Sequence, residues 1–211
     1  MREGQRMRTL DNRSRASNPG RVTVQLPVLA ACYRARPILW AIGVLASVGL
    51  GIAGEWRCAL AMALIVGLHF HRSVLIARER FWFGDVNPAA VISHDPDRIA
   101  VYGDLRTGHA AWPVVKVLAH PLKRMAGGRP AVGTRLATVA VYCGYLTRPH
   151  WNNFQPVAVN CATGNPSEIA RVLSSISPRE CAAMEVALKQ IPPPYRPGLY
   201  KVQLPEHLQW T

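Results

Sequence analysis

Acidic residues are scarce in this chain. Twelve Asp and Glu stand against 25 Lys and Arg in 211 residues, a formal charge of +13. Lysine is scarcer still, at four of those 25 positions, and Arg fills the rest. An excess of this sign points to a partner made of phosphates or an anionic surface. Cysteine is sparse and odd in number, five in all, which argues against a disulfide-stapled scaffold. Only 18% of the residues are charged while 49% are apolar, which argues against wholesale disorder. The chain has no Gly-rich phosphate loop, no Ser-centred nucleophile elbow and no HExxH, so no reaction can be named from a motif. Charge itself is missing from Ile38 to Gly54, where ILWAIGVLASVGLGIAG runs for 17 residues.

That uncharged run organises the chain. Glu55, Trp56 and Arg57 follow it, and a second apolar run, CALAMALIVGLHF, extends from Cys58 to Phe70. A membrane-crossing helix needs about 20 mostly apolar residues. The first run just qualifies. The second qualifies by passing His71 and Arg72 to reach Ala77, with the Arg72 side chain snorkelling to the headgroups. A soluble pair of core helices fits less well, because both runs are apolar all round rather than along one stripe. A single span beside an interfacial helix would also use both runs. A cleaved signal peptide fits poorly, because residues 1–37 are long for a signal's charged leader. Residues 38–77 therefore read as a transmembrane helical hairpin. Trp40 and Trp56 are available as interfacial anchors, and Gly43, Ala46, Ser47, Gly49 and Gly51 allow close helix contact. His69 and His71 close the second run; two short helices cannot enclose a pore, which favours an interfacial place over a proton path.

Charge sets the expected orientation. Residues 1–37 carry eight Arg against Glu3 and Asp11, a sum of +6. Arg72, Arg78 and Arg80 follow the hairpin, whereas its turn has one Arg and one Glu. The positive-inside rule then puts both termini in the cytoplasm. Residues 1–37 read as a disordered basic arm lying on anionic headgroups, with nucleic-acid binding the less favoured use.

Residues 78–211 read as a cytoplasmic domain. Phe81-Trp82-Phe83 beside Arg78 and Arg80 suits a chain leaving the headgroups, or an element docking on the domain core. Short runs rich in Val, Ile, Tyr and Ala follow at Ala89–Ile92, Arg98–Tyr102, Pro113–Ala119, Leu136–Tyr142 and Phe154–Asn160, separated by Gly, Pro, Asp and Asn turns. Five strands without an intervening helix predict a small antiparallel β-barrel or sandwich. Asn165-Pro166-Ser167-Glu168 and Ser177-Pro178-Arg179-Glu180 then open two helices, with apolar residues at helical spacing after each. Pro192 to Pro194 stop the second, and Leu199 to Leu204 can add a strand. The predicted class is a membrane α-helical hairpin followed by an α+β domain with two C-terminal helices.

Two loops are candidate sites. Lys123, Arg124, Arg129 and Arg135 surround Gly127-Gly128 and could touch phosphates or anionic lipid, against the plainer reading of a solvated hairpin. Asp104, Arg106 and His109 form a polar loop of mixed charge, against the plainer reading of a surface turn. Asp85, Asp95 and Asp97 are accounted for as turn residues, and Pro192-Pro193-Pro194-Tyr195 resembles a WW-domain ligand but equally serves as a helix stop. Cys143, His150 and Cys161 have ligand chemistry without zinc spacing, so no metal or cofactor is expected and the thiols read as small buried hydrophobes. Cys32 beside the first span is a conceivable palmitoylation site.

The stretches Gly84-Asp85-Val86-Asn87-Pro88, Ala100-Val101-Tyr102-Gly103-Asp104-Leu105, Val132 to Tyr142 and His150-Trp151-Asn152-Asn153-Phe154 resemble an uncharacterised bacterial family of small membrane-anchored proteins. The resemblance implies only a domain of unknown function beside membrane segments; the expected location is the bacterial inner membrane, with both termini cytoplasmic. The expectation is a non-enzymatic scaffold or interaction protein whose partners are the lipid bilayer and an unidentified protein. The second expectation is a membrane-tethered nucleic-acid or anionic-lipid binder using residues 123–135 and the N-terminal arm.

Overall fold

The structure is a computed structural model that describes residues 16–107, 111–144 and 150–208. It begins with a strap, residues 16–25, and a short helix, α1 (Leu26–Cys32). Two long helices follow, α2 (Ala35–Ile52) and α3 (Trp56–Phe83). Gly54, at φ +85°, makes the reversal between them in a conformation that side chains other than glycine rarely adopt. The pair is an antiparallel hairpin. A Cβ on Gly43 would lie 2.6 Å from Val66 Cγ2, Ser47 Oγ donates to the Ala59 carbonyl at 2.7 Å, and Trp40 Nε1 donates to His69 Nδ1 at 3.0 Å. Of the small residues read as contact points, Gly43 is used while Gly49 faces open space. His69 is held by an indole within the hairpin.

The second helix runs further than expected. It continues beyond Ala77 to Phe83, and Ala77 and Phe81 are buried. At its end a Cβ on Gly84 would stand 2.4 Å from the Arg80 carbonyl oxygen and 2.8 Å from that of Ala140, so only glycine lets the helix meet the sheet this closely. Phe81 belongs to the domain, whereas Trp82 and Phe83 stay exposed.

The strands are β1 (Asp85–His94), β2 (Asp97–Asp104), β3 (Pro113–Ala119), β4 (Arg135–Cys143), β5 (Asn153–Ala158) and β6 (Gly198–Lys201). They form one antiparallel sheet in the order β5-β4-β1-β2-β3-β6. All five predicted strands and the added sixth are present. The sheet is a half-barrel: it curls without closing, ending in β5 and β6. Lys116 Nζ on β3 donates to Asn153 Oδ1 on β5 at 2.9 Å. In a flat sheet those strands would stand about 19 Å apart, four spacings of about 4.8 Å. Pro156 is tolerated because β5 is an edge strand, and Pro88 lies one residue before β1 begins to pair with β2.

Both faces of the sheet are covered. Along β2, Ile99 and Val101 pack in one cluster with Val114, Leu122 and Phe154; Ala100 and Tyr102 pack in the other with Val115, Val117 and Met184. That is why β2 reads as an unbroken apolar run rather than an alternating one. The second cluster is roofed by α5 (Pro178–Leu188), preceded by α4 (Pro166–Ser174). Ser177 and Glu180 form the predicted capping box, and Asn165 accepts from the Ser167 amide.

The N-terminal arm needs correction. Residues 16–34 are built into the domain. Gly20 and Val22 donate backbone hydrogen bonds to Gly84 and Phe81, and Val22 is 1% exposed. Thr23 donates to Glu168 Oε1 at 2.8 Å, and Arg171 donates to the Gly20 carbonyl at 3.0 Å. Basic, polar composition hid a segment whose partners are supplied by the end of α3 and by α4. Residues 1–15 of the expected disordered arm lie outside the described residues. The cysteine reading changes too. Cys32 meets Cys161 as a disulfide pair across 129 residues and both are buried, so the Cys32 sulfur is not presented for acylation and Cys161 is far from Cys143 in role.

Candidate functional site

The sheet has two ends, and α3 identifies one of them. Arg80, one turn before the end of α3, donates to Gln155 at 3.2 Å, and Gln155 pairs with Val141 towards the end of β4. The registers Asp104↔Pro113, Val114↔Lys201 and Cys143↔Asn153 bring the β2–β3 loop, the β4–β5 loop and the end of β6 to that same end. We call it the near end. The β1–β2 turn and residues 120–134 lie at the far end.

At the near end Asp104 is a brace. Its Oδ1 accepts from the Arg106 amide at 3.1 Å and the Trp112 amide at 2.8 Å, and its Oδ2 lies 3.6 Å from Arg106 Nε. These bonds hold a loop whose Leu105 is buried. The Leu105 carbonyl accepts from the Trp151 amide at 2.7 Å, and Arg106 bridges to His150. The two loops are thereby laced together. The Trp112 ring stacks on His150 at 4.1 Å, and Lys201 Nζ sits 3.5 Å from the centroid of the same indole. His109 lies outside the described residues. Of the polar loop read from the sequence, Asp104 and Arg106 are therefore brought together. Trp112, Trp151 and Lys201 were not singled out and His150 was weighed only as a metal ligand, the four being scattered over about 90 residues without a local pattern.

At the far end the four basic residues do not form one patch. Lys123 and Arg124 are exposed on a 3-10 turn, Leu122–Arg124. Arg129 pairs with Asp97 and donates to the His94 carbonyl at 2.8 Å. Arg135 pairs with Glu185 on α5. Two of the four cations thus face carboxylates that sequence spacing could not have placed there.

Between the ends lies a buried polar row. Asn87 Nδ2 donates to the Tyr142 hydroxyl at 3.0 Å, and Thr138 Oγ1 donates to the Asn87 carbonyl at 3.0 Å. Burial raises both Tyr142 and Tyr102 above the ordinary phenol range, and it raises the Cys143 thiol. These groups stay protonated at neutral pH. Burial also lowers the Lys116 ammonium and pushes His120 down to about 4. Asp85 is pushed up to about 6, its burial outweighing hydrogen bonds from the Asn18 amide and the Ser17 hydroxyl. Among the described residues no three His, Cys, Asp or Glu side chains group as metal ligands. A cavity of about 260 Å³ lies between β1, α4 and α5, lined mainly by Ala90, Ile92, Leu136, Leu173, Met184 and Leu188.

Residues 72–192 match DUF3239, a family described as a protein of unknown function. The chain belongs to the DUF3239 family. The matched region starts at Arg72, inside α3, so the last turns of that helix go with the sheet. The strap, α1, α2 and β6 fall outside it. A solved structure from Corynebacterium diphtheriae, described as a "putative membrane protein", is similar at 18% identity and a TM-score of 0.46. The likeness covers 56% of this chain and 100% of that one. No curated protein matches the chain.

Proposed function

We propose that the chain is a membrane-anchored, non-enzymatic interaction protein, with α2 and most of α3 spanning the bilayer and the sheet domain held on its cytoplasmic face. The observation that supports this best is the exposure of the hairpin. Ile52, Leu45 and Leu64 are 84%, 71% and 63% exposed, and neither candidate span is buried against the domain. Apolar surface on this scale marks a membrane or a large partner, and the length of both helices favours the membrane. Orientation rests on charge: Arg34, Arg36, Arg72 and Arg78 flank the domain side of the hairpin, while its turn holds Glu55 and Arg57.

The Cys32–Cys161 bond argues for the opposite face, because such links persist in oxidising compartments. In the cytoplasm the two sulfurs are expected as neighbouring thiols. Two measurements test the reading. In sealed cells a C-terminal tag should resist external protease until the membrane is opened, and digestion from outside overturns the orientation. Alkylation after acid quenching and denaturation should modify all five Cys, whereas three modified Cys would place the domain outside. Retention in the membrane pellet at alkaline pH checks the anchor itself.

A further inference from the structure

We infer that the near end of the domain rests on anionic lipid headgroups, and that this contact, rather than the loop over 123–135, is where the domain uses its positive charge. The inference rests on α2 and α3 being a membrane hairpin. Given that, position follows from α3, which passes from the apolar run into the sheet without a linker. Arg72 and Phe81 are nine residues apart on one helix, about 14 Å. That span is close to one headgroup layer plus one Debye length of about 8 Å. The near end is thus held within electrostatic reach of the bilayer surface, and the far end is turned away from it.

The chemistry of the two ends agrees with that placement. The near end presents Lys201 over the Trp112–His150 stack, with Arg106 beside Asp104 next to it and exposed Trp82 and Phe83 at the helix exit. Amphipathic aromatics beside cations are the side chains that settle at headgroup level. At the far end Arg129 and Arg135 are matched by Asp97 and Glu185, just as Arg106 is by Asp104, and the exposed Lys123 and Arg124 stand at the end of the sheet away from the α3 exit. Distance from the bilayer surface, and not a surplus of unpaired charge, therefore separates the two ends.

The test uses the full chain in nanodiscs, one set of phosphatidylcholine alone and one with phosphatidylglycerol added, read by hydrogen exchange. Peptides containing Arg106, Trp112, His150 and Lys201 should exchange at least about fivefold more slowly in the anionic discs, the worth of one basic residue at an anionic surface. High salt should remove the difference. So should the double variant Arg106→Glu, Lys201→Glu, while peptides of the β1 core keep their wild-type protection. Equal exchange in the two discs overturns the proposal, and so does slowing confined to the peptide containing Lys123 and Arg124. Equal slowing of the near-end peptides by a single-stranded oligonucleotide in detergent also overturns it, in favour of nucleic acid. A chain that enters neither disc overturns the membrane reading beneath it.

Discussion

Leu122 and Leu45 are the same side chain in two regions that treat it oppositely. Leu122 is fully buried beneath the curled sheet, among Val101, Val114 and Phe154. Leu45 is 71% exposed on α2, in a helix that buries nothing against the domain. The domain hides its apolar side chains by folding back on them; the hairpin leaves them outward, uncovered by the rest of the chain. Composition alone cannot separate these uses. The arrangement of polar residues does, because the strands break at Gly, Pro and Asp every few residues while the helices run on.

The sharpest way to break this contrast is to truncate both leucines. Leu122→Ala should cost the domain about 2–5 kcal/mol, through lost burial plus a cavity that cannot fully collapse. Leu45→Ala should leave the same unfolding transition of the detergent-solubilised chain within about 0.5 kcal/mol. Equal effects would mean that the hairpin is part of the domain core.

Acidity offers a second, slightly smaller probe. His120 binds its proton less tightly in the folded state, so the stability it supports is complete above its ordinary value and is lost as pH falls from about 6.5 to about 4. Full titration amounts to about 3 kcal/mol. Asp85 acts in the opposite sense. Its folded-state proton is held more tightly, so stability falls as pH rises towards about 6. Between pH 4 and 6 the two slopes oppose one another, and the wild type should vary little. Asp85→Asn should expose a stability that climbs with pH, and His120→Gln one that declines. Denaturant midpoints across that range check both signs.

The junction of the two regions is a third target. Gly84→Ala should cost about 1–3 kcal/mol, since the new methyl meets backbone oxygens of Arg80 and Ala140 that cannot rotate away. Thermal unfolding would show the loss. The smallest effect is expected at the far end. Arg129→Ala removes an exposed pair with Asp97 and should change stability by no more than about 1 kcal/mol.

What could be read in the sequence follows the range of the interactions. Val101 and Val115 lie in strands bounded by turn residues, and Ser177 meets Glu180 three positions away; both signals are local and both elements are present. Thr23 finds Glu168 across 145 residues, and Cys32 finds Cys161 across 129, with no periodicity to announce either. The candidate sites divide in the same way. Asp104 and Arg106 are neighbours in sequence and in space, whereas Lys201 reaches Trp112 only because β6 adds to β3. Charge counting could not tell that Arg129 and Arg135 were answered by distant carboxylates, because pairing is a property of the folded sheet.

The passage of α3 from the apolar run into β1 has a mechanical consequence. A helix of 28 residues is a rod of about 42 Å. The Gly84 contact and the strap across Phe81 leave no joint at its top. Membrane helices answer a change in bilayer thickness by tilting. A tilt of about 10° pivoted at the distant tip would carry the head of this rod sideways by about 7 Å. The domain would swing as one piece, converting lipid thickness into position.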